Sequence, residues 1–254
     1  MTRALQRTNF HSSKLIRCLA DLAVVDAVEP GNAFAEKLGL WIHFTDAITL
    51  SAVHNDNIAS QPKIQPEVQF VAHANATIEF DRVQASLVNS IMKSYSPNQG
   101  KTDIELPTPT LELPMDLAAA YMPYLRFYEA HQRDMELRVQ ALRINVREAL
   151  AKATPKLKQL AGLDATLEKI LCDRESKLLS KVPVLLKKRF EQLFQTHQQT
   201  LVDTQQADNP ASWMQTGGWL ARFCNDMQML LLAEVELRLQ PTVGLIEAFS
   251  IRNE

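Results

Sequence analysis

The stretch LAAAYMPYLRFYEAHQRDMELRVQALRINVREALAKATP, residues 117–155, decides the fold class. Leu117, Tyr121, Tyr124, Tyr128, His131, Met135, Arg138, Leu142, Val146 and Ala149 follow one another in steps of 4, 3, 4, 3, 4, 3, 4, 4 and 3. Steps of this size return side chains to one face of an α-helix, and a seam repeating every seven residues packs against other helices. At its rise per residue the helix is about 57 Å long, and an apolar seam of that length needs partner helices to cover it. Thr154-Pro155 then offers a capping hydroxyl followed by proline at the first helical position. A second helix therefore starts with almost no loop between the two.

Beyond this pair the seams continue. Leu157, Leu160, Leu163, Leu167, Ile170, Leu171, Leu178 and Val182 share one helix, which Pro183 is expected to kink or break. Leu186, Phe190, Leu193, His197 and Leu201 carry the next stripe. Ala207-Asp208-Asn209-Pro210 reads as a turn. Ser212 is a candidate cap for a last long helix, unless the Gly217-Gly218 pair moves its start to Trp219. On that helix Leu220, Phe223, Met227, Leu230, Glu234 and Leu237 step 3, 4, 3, 4 and 3, and Pro241 is expected to end it.

Upstream the helices are shorter. Ser12 or Ser13 is placed to cap one bearing Leu15, Ile16, Leu19 and Leu22, and Pro30-Gly31-Asn32 breaks the chain. Phe34, Leu38, Trp41 and Ile42 recur at helical spacing, and Thr45 is a candidate cap for a helix with Ile48 and Ala52. Asn55 to Pro66 reads as a loop. Phe80, Val83, Leu87 and Ile91 then mark a longer helix. Ser96 to Pro114 holds four prolines and is read as a linker, with at most a short extended arm. The reading is all-α: a small N-terminal helical unit (1–95), a proline-rich linker (96–114) and an elongated bundle of coiled-coil-like long helices (115–254).

Composition agrees with this. Only 7 of 254 residues are glycine, fewer than sheet architectures usually place in turns. The net charge of −2 gives no global field for a polyanion. Cys18, Cys172 and Cys224 are odd in number and far apart, which fits a reducing compartment rather than a disulfide framework or a cysteine-rich zinc site. No signal peptide and no apolar run of membrane-spanning length is present, so the expected location is cytoplasmic.

Candidate chemistry is sparse. Gly100-Lys101-Thr102 resembles the end of a phosphate-binding loop, but Tyr95 stands where that loop needs glycine, and prolines follow instead of a helix. The six histidines form no metal-binding spacing, and no metal or cofactor is expected. His131 and His197 lie on seams and either approach each other or set helix register as satisfied polar residues. Glu234 interrupts an apolar seam, and a buried carboxylate needs a raised pKa or a cation such as Arg138 or Arg174; a catalytic carboxylate is the other reading, with no identifiable companion. Tyr121, Tyr124, Phe127 and Tyr128 line a ligand groove or, as aromatics at helical spacing more often do, anchor a core or interface. Residues 143–189 carry twelve Lys/Arg against five Asp/Glu, and residues 190–254 three against eight. These blocks pair within the chain or between copies. Lys177, Lys181 and Lys188 step 4 and 7 and share a face, subject to the kink at Pro183.

Three segments carry a resemblance. FAEKLG at 34–39 running through Trp41 to TDAITLSA at 45–52, YEAHQRDM at 128–135, and FCNDMQMLLLAEVELRLQPTVGL at 223–245 are similar to a proteobacterial family, domain of unknown function three-three-four-eight. The likeness implies no activity for any residue. It implies a cytoplasmic accessory to an envelope complex. The residues themselves point to a non-enzymatic helical scaffold or adaptor with a protein partner or a second copy. Lys177, Lys181, Lys188, Tyr121, Tyr124 and Tyr128 are the candidate contacts. The alternative is a nucleic-acid-binding protein using the basic helix.

Overall fold

The computed structural model describes residues 13–22, 40–55, 66–96, 102–109 and 116–250. The expectations for Ser12, Pro30-Gly31-Asn32, Phe34, Leu38, most of the 55–66 loop, Gly100-Lys101 and the outer parts of the 96–114 segment lie outside them. Seven α-helices account for most of the described chain: α1 (Lys14–Asp21), α2 (Phe44–Asn55), α3 (Pro66–Ser94), α4 (Leu117–Ala153), α5 (Pro155–Leu179), α6 (Lys181–Thr204) and α7 (Trp219–Ser250). A short 3-10 turn, Pro210–Ser212, lies between α6 and α7. Among the described residues there is no strand, and the fold is all-α.

The seams fold as their spacing requires. On α4, Tyr121, Tyr124, Tyr128, His131, Met135, Leu142 and Val146 are all buried. On α7, Leu220, Phe223, Met227, Leu230 and Glu234 are buried as well. Thr154 caps α5 by accepting a hydrogen bond from the Leu157 N–H at 3.2 Å, with Pro155 in the first turn. Asp116 caps α4, its carboxylate accepting from the N–H groups of Ala118 and Ala119 at 2.9 and 3.3 Å.

Several local expectations are corrected. α2 is capped from His43, whose N–H donates to Asp46 at 3.0 Å, and Thr45 lies inside the helix. Ile16 is half exposed while Leu15, Leu19 and Leu22 are buried, so the α1 stripe is narrower than its sequence suggests. Leu178 is also half exposed. The helix break falls at Ser180, before Pro183, which sits in the first turn of α6 where its missing N–H costs least. Ser212 does not cap α7, which starts at Trp219; its hydroxyl donates to the Asn209 carbonyl. Pro241 does not end α7. The helix runs on to Ser250 because Thr242, Leu245 and Phe249 beyond the proline are buried, and their burial outweighs one lost backbone bond.

The described contacts fall into two compact units. The first gathers Met1–Pro30, Val88–Arg133 and Lys181–Leu237; the second gathers Gly31–Leu87, Asp134–Ser180 and Arg238–Glu254. Each draws on three separated stretches, whereas the sequence reading divides the chain consecutively at 95 and 115. In the first unit α6 and α7 run antiparallel, with Phe190 against Phe223, Arg189 bonded to Asp226 and Phe194 against Trp219. The start of α4 lies alongside, Tyr121 and Tyr124 packing on both Phe190 and Phe223. In the second unit α3 and α4 are antiparallel, since Ser86 meets Arg138 and Glu79 meets Asn145. The α4–α5 hairpin is closed by Arg143 and Arg147 on Asp164 and Glu168. α2 rests on α5, where Gly162 allows Val53 to come so near that an added Cβ would stand 3.1 Å from it.

Candidate functional site

Within the second unit, α3 and α4 leave an open groove of about 450 Å³ between them. Its walls are Glu79, Arg82, Val83 and Ser86 from α3 and Arg138, Ala141 and Leu142 from α4. Of the polar side chains, Arg138, Ser86 and Glu79 are held by hydrogen bonds. The Arg138 guanidinium donates to Ser86 Oγ and to Asp134, each at 2.7 Å, and Asn145 donates to Glu79 at 2.8 Å. The Arg138–Ser86 and Asn145–Glu79 bonds link the two helices.

The two helices that form the groove also carry exposed apolar side chains. Val71, Ile78 and Ala85 recur every seven residues along α3, with Asn75 and Arg82 between them, and all five are exposed. On α4, Leu137, Ala141 and Ile144 step 4 and 3 and are exposed too. Ile78 and Leu137 keep 65% and 68% of their surfaces in water. The signal was present in the sequence as a second, thinner apolar stripe on α3, turned away from Phe80, Val83, Leu87 and Ile91 and interrupted by two polar residues. A periodicity search that stops at the first stripe misses it.

The residues singled out from sequence are dispersed. Tyr121, Tyr124 and Tyr128 are buried in the first unit, in the core role their spacing favours. The Tyr121 hydroxyl donates to the Pro183 carbonyl. Lys177, Lys181 and Lys188 are exposed. Because the chain breaks at Ser180, Lys177 ends α5 while Lys181 and Lys188 ride on α6, and no single helical face carries all three. Much of the basic block is neutralised locally: Arg143 and Arg147 by Asp164 and Glu168, and Arg189 by Asp226 at 2.8 Å. Burial works against the Arg143 charge, but the bond and charge of Asp164 prevail and hold its pKa above the ordinary value.

His131 and His197 are found with separate partners. His131 meets Ser94 at 3.3 Å and packs edge-on to Phe127. His197 bonds Asp208 at 2.9 Å and stacks on Trp219. Burial pushes Asp208 up, but hydrogen bonds from Trp213 and His197 outweigh it and hold the carboxyl below its ordinary value. Glu234, fully buried, accepts from the Tyr128 hydroxyl at 2.9 Å and from Gln132 at 3.0 Å. The expected arginines are engaged elsewhere, Arg138 with Asp134 and Arg174 over the Trp41 ring. Among the described residues no three His, Cys, Asp or Glu side chains gather as a metal site, and no helix is long and apolar enough to cross a membrane.

No curated protein and no solved structure matches the chain. A family model does match, over residues 1–251. The chain belongs to the family described as "Protein of unknown function (DUF3348)".

Proposed function

We propose that this protein is a non-enzymatic helical adaptor whose α3–α4 groove receives an amphipathic helix from a protein partner or a second copy. The observation that supports it is the set of exposed apolar side chains on the two groove helices, which interhelical hydrogen bonds link. A helix laid there buries its own apolar face against Val71, Ile78, Leu137 and Ile144, and Arg82 is available to a carboxylate on its rim. The setting proposed with it is the cytoplasmic side of an envelope complex.

The test uses Ile78→Glu and Leu137→Glu, both at exposed positions, so the fold tolerates them. Light scattering after size exclusion is expected to show self-association, or a defined complex after co-purification from the native host, lost in both variants with thermal melting unchanged. An unaltered complex in both variants, or a chain that stays monomeric and copurifies with nothing, discards the reading. A second reading, nucleic-acid binding, is favoured by the exposed Lys156, Lys158, Lys169 and Lys177 on α5. It requires steeply salt-dependent binding that Lys156→Glu, Lys158→Glu, Lys169→Glu and Lys177→Glu together abolish.

A further inference from the structure

A second site lies in the first unit and is independent of the groove. Residues 102–109 form a strap of this unit with neither helix nor strand, bent at Asp103-Ile104 and anchored where the Ile104 carbonyl accepts from Ser94 at 2.7 Å and from Thr102 at 2.9 Å. The end of the strap, Thr108 and Pro109, closes a pocket whose other walls include Pro123, Tyr124, Phe190, Trp213 and Trp219. The space left inside is about 10 Å³.

Two of the wall residues each carry an unsatisfied polar atom. The Trp219 indole N–H and the Tyr124 hydroxyl are buried and have no hydrogen-bond partner among the described residues. Their residues are only 6% and 3% exposed. A buried donor without an acceptor is costly, and two in one pocket are uncommon. Trp213, beside them, shows the contrast: its N–H donates to Asp208 at 2.8 Å. Burial raises the Tyr124 pKa well above its ordinary value, which keeps the phenol protonated and able to donate.

The chemistry of the walls selects the ligand. They offer flat aromatic faces and two donors. The matching ligand is rich in carbonyl acceptors, carries few N–H groups of its own, and has rigid apolar rings to lay on the aromatics. An extended proline-rich segment has these properties, and it loses little entropy on binding because its backbone is already set. The strap shows that a prolyl ring fits against the pocket, yet in this position it leaves both donors unsatisfied. We propose that the Tyr124–Phe190–Trp213–Trp219 pocket is a binding site for a proline-rich extended segment of another protein, and that Pro107-Thr108-Pro109 is an internal strap which that segment displaces.

The experiment titrates the full chain against a fluorescein-labelled peptide of repeating Pro-Thr-Pro, read by anisotropy, with an Ala-Thr-Ala peptide as control. Saturable binding of the proline peptide alone is expected. Replacing both Pro107 and Pro109 by alanine weakens the strap and tightens binding about tenfold. Trp219→Phe keeps an aromatic ring but loses the donor, and weakens binding about tenfold. Tyr124→Phe removes only a hydroxyl and serves as the second variant should Trp219→Phe melt early. Absence of binding at millimolar peptide in the Pro107/Pro109 variant overturns the proposal, and so does unchanged affinity in Tyr124→Phe. Those results leave the pocket as the seat of a single buried water. The outcome leaves the α3–α4 groove untouched, since Ile78→Glu and Leu137→Glu change nothing in this pocket.

Discussion

Two adjacent glycines show how unequal neighbouring positions can be. Gly217 has φ +88°, a left-handed conformation, with nothing within 4 Å of where a Cβ would stand. At Gly218 an added Cβ would lie 2.2 Å from the Trp213 carbonyl oxygen and 2.5 Å from that of Ser212. Those atoms are backbone and cannot swing away. Gly217→Ala should cost about 1 kcal/mol of conformational strain, and Gly218→Ala about 3 kcal/mol or more by displacing the turn. Urea denaturation of both variants checks the order; equal losses contradict it. The sequence revealed that this pair weakens helix formation, because that follows from residue type alone. It did not reveal which glycine is indispensable, because that depends on Trp213 folding back over it. Glu234 teaches the same lesson. Its burial was legible from the seam, but its bonds to Tyr128 and Gln132 were not, because helix spacing gives the face of a side chain and not the neighbour across it.

Among the connecting elements, the turn from α6 to α7 depends on one carboxylate. Asp208 accepts from His197 at 2.9 Å and from the Trp213 N–H at 2.8 Å. Its pKa is held below the usual carboxylate value, so the folded state binds its proton less readily than the unfolded chain does. The stabilisation is complete above the unfolded value near 3.8 and fades as pH falls through the lower folded value. Tryptophan fluorescence should therefore report loosening of this turn on acidification below about pH 4. Asp208→Asn should flatten that limb; an identical acid profile in the variant refutes the assignment. Whole helices were the most legible elements. α4, α5 and α7 were foreseen because long apolar periodicity leaves few alternatives. Helix ends were less legible: propensity marks Pro241 as a stop, and only the burial of Leu245 and Phe249 explains why α7 continues.

For the whole molecule, the compact units do not follow chain order. α3, α4 and α7 each contribute residues to both. A fragment beginning at residue 115 would lack Leu15, Leu19, Leu87 and Ile91, all buried. It is expected to bind a hydrophobic dye and to melt without a sharp transition, while the full chain melts cooperatively. A fragment as cooperative as the full chain contradicts this. The sequence could not show the grouping, because contacts between distant stretches leave no periodic trace. The sharing of α7 also bears on how the protein is made. Trp219–Leu237 completes one unit and Arg238 onward completes the other, so each waits for its own part of α7 to be synthesised. From the synthesis of Tyr121 until α7 emerges the nascent chain displays naked greasy edges from Tyr121 to Phe190, which makes it a natural client for chaperones that hold unfinished chains.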